Sequence, residues 1–333
     1  MKSFLVTRYG KNEKLKLTEV PTPAPQADEV LVEVHATGVN QLDSKIRDGE
    51  FKLILPYKPP FGLGHDVAGI VVAVGTGVRG FRVGDAVYAR PADFRIGTFA
   101  EFIAVREADV ARKPTNLAMT EAGAIPLVGL TAWQALVERA NLQKGQKVFI
   151  QAGSGGVGTF AIQLAKHLGA YVATTTSAAN AELARSLGAD CVIDYKTQDF
   201  ETVLSGYDVV LNSQDAKTLT KSLRILKPGG IAVSISGPPT GAFAREAGLP
   251  WYVRLVATLL SFRIRRQAQK LGVRYTFLFM KANGQQLGEI TRLVEAGIIK
   301  PVVDKTFPFP QTNEALTYVE SGRAKGKVVI EVK

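Results

Sequence analysis

The run VFIQAGSGGVGTFAIQLA sets Gly153, Gly155 and Gly158 in G-x-G-x-x-G spacing. The spacing alone is a weak signal, because glycine-rich loops are common. Here it follows an apolar strand and opens an amphipathic helix, which is the context the motif requires. The first glycine permits a tight turn, the second lets a diphosphate approach the backbone, and the third lets helix and strand pack closely. The helix N-terminus attracts negative charge. Dinucleotide binding is the chemistry implied. The end of the next strand bears on which dinucleotide. It reads TTTSAAN, with Thr174, Thr175, Thr176, Ser177 and Asn180 and no carboxylate. An acid there would hold the ribose hydroxyls of NAD and repel a 2′-phosphate, whereas hydroxyls can donate to that phosphate. NADPH is favoured.

His65, in FGLGHDVAGIVVAVG, is the second residue that could do chemistry. A catalytic zinc needs about three protein ligands. The chain has three histidines and one cysteine, Cys191, which excludes an internal disulfide and a cysteine-rich metal site. His35 falls on the polar face of the alternating run EVLVEVHATGVN, opposite Val30, Val32 and Val34, together with Glu33 and Thr37. His167 lies beside Lys166 on the outer face of a helix. Both read as solvated.

These residues need elements to carry them. A chain of 333 residues fits two domains. The first part consists of short strands broken by glycine and proline, as in a compact antiparallel barrel. Near Pro126 the texture changes to alternating helices and strands, the pattern of a doubly wound parallel sheet. The end, with KPVVDKTFPF and GKVVIEV, returns to the early texture. The expected architecture is α/β: a barrel domain over 1–124, completed by 300–333, and a nucleotide domain over 125–299 inserted into it.

Lys and Arg total 41 against 30 Asp and Glu, a net charge of +11. The basic residues are scattered apart from SFRIRRQAQKLGVR (261–274), which reads as a solvated helix face. The neighbouring LPWYVRLVATLLSFRIRRQ leaves a membrane-surface role open. Its apolar run is too short for a membrane span and is broken by Arg254. The expected setting is the cytoplasm, with no signal peptide, no stable membrane insertion and no nucleic-acid partner.

Six motifs in order, GVNQLDSKIRDG, GHDVAGIVVAVGTGV, GDAVYA, AGSGGVG, LGADCVIDY and SGRAKGKVVI, resemble the medium-chain dehydrogenase/reductase superfamily over nearly the whole chain. The branch they resemble is the zinc-independent, NADPH-dependent quinone and enone (alkenal) reductases, together with the reticulon-interacting oxidoreductase-like proteins. The resemblance implies a GroES-like barrel carrying a Rossmann NADP-binding domain. Zinc dehydrogenases of the superfamily carry a cysteine where this chain has Asn40, so His65 stands without its partner ligands. Without zinc, the chemistry suits an acceptor that is already electrophilic, a quinone or an α,β-unsaturated carbonyl. The resemblance puts Asn40, Lys45 and Tyr57 at the reaction, with Lys45 also touching the cofactor. Ser154, Gly155, Gly156, Val157 and Gly158 are expected at the diphosphate, and Thr176, Ser177 and Tyr195 at the adenosine phosphate. It also implies Thr131, Asn212 and Ile235 along the nicotinamide half, Phe277 closing the cleft, and Arg323 and Lys325 reaching the cofactor. A homodimer or a monomer is implied. A competing reading keeps the fold as a binding protein for RNA or an anionic membrane surface.

Overall fold

Alternation decides the first unit. In the computed structural model, which describes residues 1–333, the run around Val30 forms one long strand, Glu29–Val39. Val30, Val32 and Val34 face a buried core with Val67, Val71, Val87, Ile103 and Val105. Glu33 and His35 are half-buried, and His35 Nε2 lies 3.2 Å from the Glu33 carboxylate. Thr37 departs from the polar-face expectation. It is fully buried, and its hydroxyl donates to the Asp66 carbonyl at 2.6 Å.

Glu29–Val39 is the spine of a seven-stranded sheet. The order is Val303–Pro308, Lys327–Glu331, Glu29–Val39, Val67–Val74, Ala86–Ala89 and Val110–Arg112, with Phe102–Arg106 also paired to the spine. Only Val303–Pro308 pairs in parallel; the other pairings are antiparallel. A smaller antiparallel sheet joins Lys16–Glu19, Lys2–Val6 and Phe61–Gly62.

The second unit holds six parallel strands. Their order is Cys191–Asp194, Tyr171–Thr176, Lys147–Ile150, Tyr207–Asn212, Leu226–Ser234 and Arg274–Phe277. In order of occurrence that is third, second, first, fourth, fifth, sixth, the doubly wound order. Strand 147–150 is buried at Val148, Phe149 and Ile150, as a central parallel strand covered on both faces must be.

The units comprise Met1–Leu130 with Lys281–Lys333, and Thr131–Met280. Both boundaries differ from the expected 124/125 and 299/300. At the first, the Leu127 N–H donates to Asp66 Oδ1 at 2.6 Å, which ties the start of helix Pro126–Trp133 to the first unit. At the second, helix Gly284–Glu295 packs on strand Val110–Arg112 of the first unit. The buried Tyr88 hydroxyl donates to the Leu287 carbonyl at 2.7 Å and lies 2.9 Å from Thr291 Oγ1. Thr291 donates in turn to the Arg112 carbonyl at 3.1 Å. Helical periodicity does not say which unit a helix covers.

This anchoring is testable. Tyr88→Phe removes a buried donor and leaves the Leu287 carbonyl short of a partner. The loss should be about 1–3 kcal/mol of stability, read from chemical unfolding. An unchanged midpoint would refute the anchoring.

Candidate active site

The glycine turn leaves strand Lys147–Ile150 and enters helix Gly156–His167, whose N-cap is Gly155. No side chain caps that terminus, so its N–H groups are open to an anion. Ala152, just before the turn, sits at φ +51°, in the left-handed region where a Cβ is strained. A Cβ on Gly158 would lie 2.2 Å from the Ala152 carbonyl oxygen, so this glycine is needed for the close helix–strand approach. A Cβ on Gly155 would meet nothing nearer than 3.3 Å. A contact at that distance is tight, so the second glycine relieves crowding at the turn and keeps its backbone bare for a diphosphate.

Strand Tyr171–Thr176 delivers the next groups. Ser154 Oγ accepts from Thr176 Oγ1 at 2.9 Å and from Asn180 Nδ2 at 3.3 Å, which leaves its own proton free to donate. Asn180 Oδ1 is buried without a partner, an acceptor awaiting a donor such as a ribose hydroxyl. Thr176 pairs in register with Asp194, and the Tyr195 N–H donates to the Thr176 carbonyl at 3.2 Å. Tyr195 is exposed, with Ser177 half-buried at the same edge. The uncapped terminus and the bare glycine fit a dinucleotide diphosphate, and the orphaned acceptor fits a ribose hydroxyl. Asn180 belongs to the TTTSAAN run that favours NADPH, whereas the exposed Lys196, next to Tyr195, is not among the expected site residues. Its adjacency to Tyr195 is the available signal.

Asn212, Ser234 and Phe277 end neighbouring strands in register. The Asn212 amide donates to Gln151 Oε1 at 2.7 Å and accepts from Ser234 Oγ at 2.6 Å. Its side chain braces strand ends and is fully buried. The Ile235 N–H donates to the Asn212 carbonyl, which leaves Ile235 half-buried just past its strand. Phe277 is buried edge-on against Phe243, with centroids 5.0 Å apart, so it packs rather than lies free. Thr131 is buried in the helix Pro126–Trp133.

In the first unit, five polar side chains gather out of solvent. Lys327 Nζ lies 3.0 Å from Asp66 Oδ2 and donates to Asn40 Oδ1 at 2.6 Å. Asn40 Nδ2 donates to Asp66 Oδ2 at 2.9 Å and the Gly38 carbonyl at 3.3 Å, while its backbone N–H donates to Asp43 Oδ2 at 2.7 Å. Asp43 Oδ1 lies 2.6 Å from His65 Nδ1. His65 is fully buried, and its Nε2 has no partner. The Asn40 side chain is thus engaged in an internal network on both its amide oxygen and its amide nitrogen. Asp43, Asp66 and Lys327 were missed.

Helix Gln41–Asp48 starts from this network and carries Lys45 on a half-exposed position, 3.9 Å from Glu50. Arg47 and Ser44 of the same helix both reach Glu320, at 2.8 Å and 2.7 Å. Tyr57 stacks on Phe61 with centroids 5.0 Å apart, and its oxygen accepts from the Phe94 N–H at 3.1 Å. Burial pushes its phenol up to about 12, so it stays protonated at neutral pH. Arg323 and Lys325 are exposed just before strand Lys327–Glu331.

Two outcomes follow. Lys327→Met strips the buried Asp66 carboxylate of its cation and should cost about 3–5 kcal/mol. Adding Asp66→Asn should recover part of that loss; calorimetric melting of the single and double variants checks it. Ser154→Ala with Asn180→Ala should weaken NADPH binding about tenfold or more, two hydrogen bonds at about 1 kcal/mol each. Quenching titration reads the affinity, and unchanged binding would remove these residues from the site.

The chain matches two family models: an alcohol dehydrogenase GroES-like domain over residues 26–115 and a zinc-binding dehydrogenase model over residues 187–330. It is 36% identical over 355 residues to the mitochondrial NAD(P)H oxidoreductase RTN4IP1 of Homo sapiens, covering 100% of this chain and 89% of that protein. It is 35% identical to the chloroplastic NADPH-dependent alkenal/one oxidoreductase of Arabidopsis thaliana, covering 99% of this chain and 79% of that one. The quinone oxidoreductase structure from Coxiella burnetii superimposes with a TM-score of 0.87 at 29% identity, covering 100% and 99% of the two chains. Two units in this order, a glycine turn at the end of a central strand of the parallel sheet and full-length similarity lead to one assignment: the chain belongs to the quinone and enone oxidoreductase-like branch of the medium-chain dehydrogenase/reductase superfamily.

Proposed function

We propose that this chain is an NADPH-dependent oxidoreductase that reduces quinones or α,β-unsaturated carbonyl compounds without zinc. The observation carrying the cofactor is the turn itself: an uncapped helix N-terminus above Gly155, with Ser154, Thr176 and Asn180 gathered beside it. Gly155, Gly156, Val157 and Gly158 would hold the diphosphate; Thr176, Ser177 and Tyr195 would hold the adenosine end. Thr131, Asn212, Ile235 and Phe277, with Lys45, Arg323 and Lys325, are proposed as further cofactor contacts on the resemblance. When bound, NADPH supplies a hydride.

The chain's own residues then bind and orient. An enone or quinone is electrophilic before it reaches the protein, and charge arriving at its carbon delocalises onto oxygen. Lys45 is proposed to stabilise that oxygen, and the Tyr57 phenol, protonated at neutral pH, to donate a hydrogen bond. Water can deliver the final proton. Zinc independence rests on the donor set. His65 offers Nε2 alone, no further His, Cys, Asp or Glu side chains join it in a metal-holding group, and Asn40 stands between Asp66 and the Lys327 ammonium, whose charge would oppose a metal ion. The proposed setting is cytoplasmic, as a monomer or homodimer acting on small molecules, with no nucleic-acid partner.

NADPH deuterated at C4 should leave its label on the β-carbon of an enone product. Label on the carbinol carbon, or brisk oxidation of simple alcohols, would overturn the reading. Lys45→Ala should lower turnover about 10-fold or more without abolishing it. Dialysis against a chelator should leave activity intact; loss of activity along with about one zinc per chain would defeat the metal-free assignment.

A further inference from the structure

Between Glu246 and Glu289 the chain has no carboxylate, yet it carries Arg254, Arg263, Arg265, Arg266, Lys270, Arg274 and Lys281. The same stretch holds eight of the seventeen large hydrophobic side chains that the protein exposes, all between Trp251 and Leu271. Single exposed hydrophobics are ordinary, but this concentration makes a patch.

The helices explain its shape. Helix Trp251–Leu260 turns Val253 and Ala257 inward and packs on helix Gly241–Glu246. Trp251, Tyr252, Leu255, Val256, Leu259 and Leu260 recur at i, i+1, i+4, i+5, i+8 and i+9, one continuous outer face about 15 Å long. Trp251 is 74% exposed and Leu259 66%. Helix Phe262–Lys270 follows directly. It buries Ile264 and Ala268 in the core of the parallel-sheet unit and exposes Phe262, Arg263, Arg265, Arg266 and Lys270. Apolar face and cationic ridge are therefore consecutive and both turned outward.

We infer that this surface docks the protein on an anionic phospholipid bilayer, lying in the interface without spanning it. The composition is that of an interfacial amphipathic element: leucines for the acyl boundary, Trp251 and Tyr252 for the headgroup level, arginines for lipid phosphates. A second copy of the chain is a poorer occupant, because its matching patch offers arginines and no carboxylate to receive them. RNA is poorer too, since it has no use for a leucine face. No helix is long and apolar enough to cross the membrane. The inference goes beyond the proposed activity and does not depend on which acceptor is reduced.

The test uses the full chain with phosphatidylcholine vesicles, pure or doped with phosphatidylglycerol, at near-physiological ionic strength. The wild type should sediment with the doped vesicles only, and tryptophan emission should shift to the blue as Trp251 leaves water. Arg263→Gln/Arg265→Gln/Arg266→Gln should weaken binding by about two orders of magnitude, at roughly 1 kcal/mol per charge. Leu255→Gln/Leu259→Gln keeps every charge and should still lose binding; unchanged NADPH affinity shows that either variant is folded. Wild type that neither sediments nor shifts would overturn the inference, a readout free of any variant's folding. So would equal binding to pure phosphatidylcholine, a dimer that Leu255→Gln/Leu259→Gln dissociates, or RNA binding that survives that change.

Discussion

An ammonium group delivered by Lys327 is held against the Asp66 carboxylate out of water, and much of the first unit is arranged around that contact. Neither charge tolerates burial alone. Asp66 is fully satisfied: one oxygen takes Lys327 and Asn40, the other the Leu127 N–H. Asn40 starts the helix that bears Lys45, and Asp43 on that helix takes the only bonded nitrogen of His65. Residues from the first hundred, the middle and the end of the chain thus meet at one pair. Such pairs are weak sources of net stability, but they reject alternative packings strongly, since any slip strands a charge.

Much of the architecture is legible in the sequence alone. Strand alternation around Val30 and the helix–strand rhythm after Pro126 are local signals, and both reflect which side of an element meets the core. The glycine turn was legible for the same reason: its strand, loop and helix are contiguous. The polar network was not. Lys327 and Asn40 are 287 residues apart, and nothing near either one announces the other. The motif SGRAKGK drew attention to Arg323 and Lys325, which are exposed, while the third cation opens the last strand and turns inward. A lysine at the head of the apolar run KVVIE was the available hint. The partners that claim the Asn40 side chain were equally illegible, because spacing locates a side chain without saying which neighbours bond it. Helix Gly284–Glu295 was assigned to the wrong unit for a similar reason: Tyr88 holds it from 199 residues away.

The seven-stranded sheet also bears on how the protein is made. Strand Lys327–Glu331 lies between Val303–Pro308 and Glu29–Val39, so it fills an interior position of a sheet whose other members are all synthesised first. On a ribosome, the far half of Glu29–Val39 emerges early and waits, its edge unpaired, while some three hundred residues are added. The parallel-sheet unit, contiguous in the chain, has its strands in hand long before that. Assembly is therefore nested: the inserted unit can close during translation, whereas the surrounding one closes last, by long-range pairing that is intrinsically slow. The nascent chain carries an open strand edge through most of its synthesis, which is when it most needs a chaperone's cover.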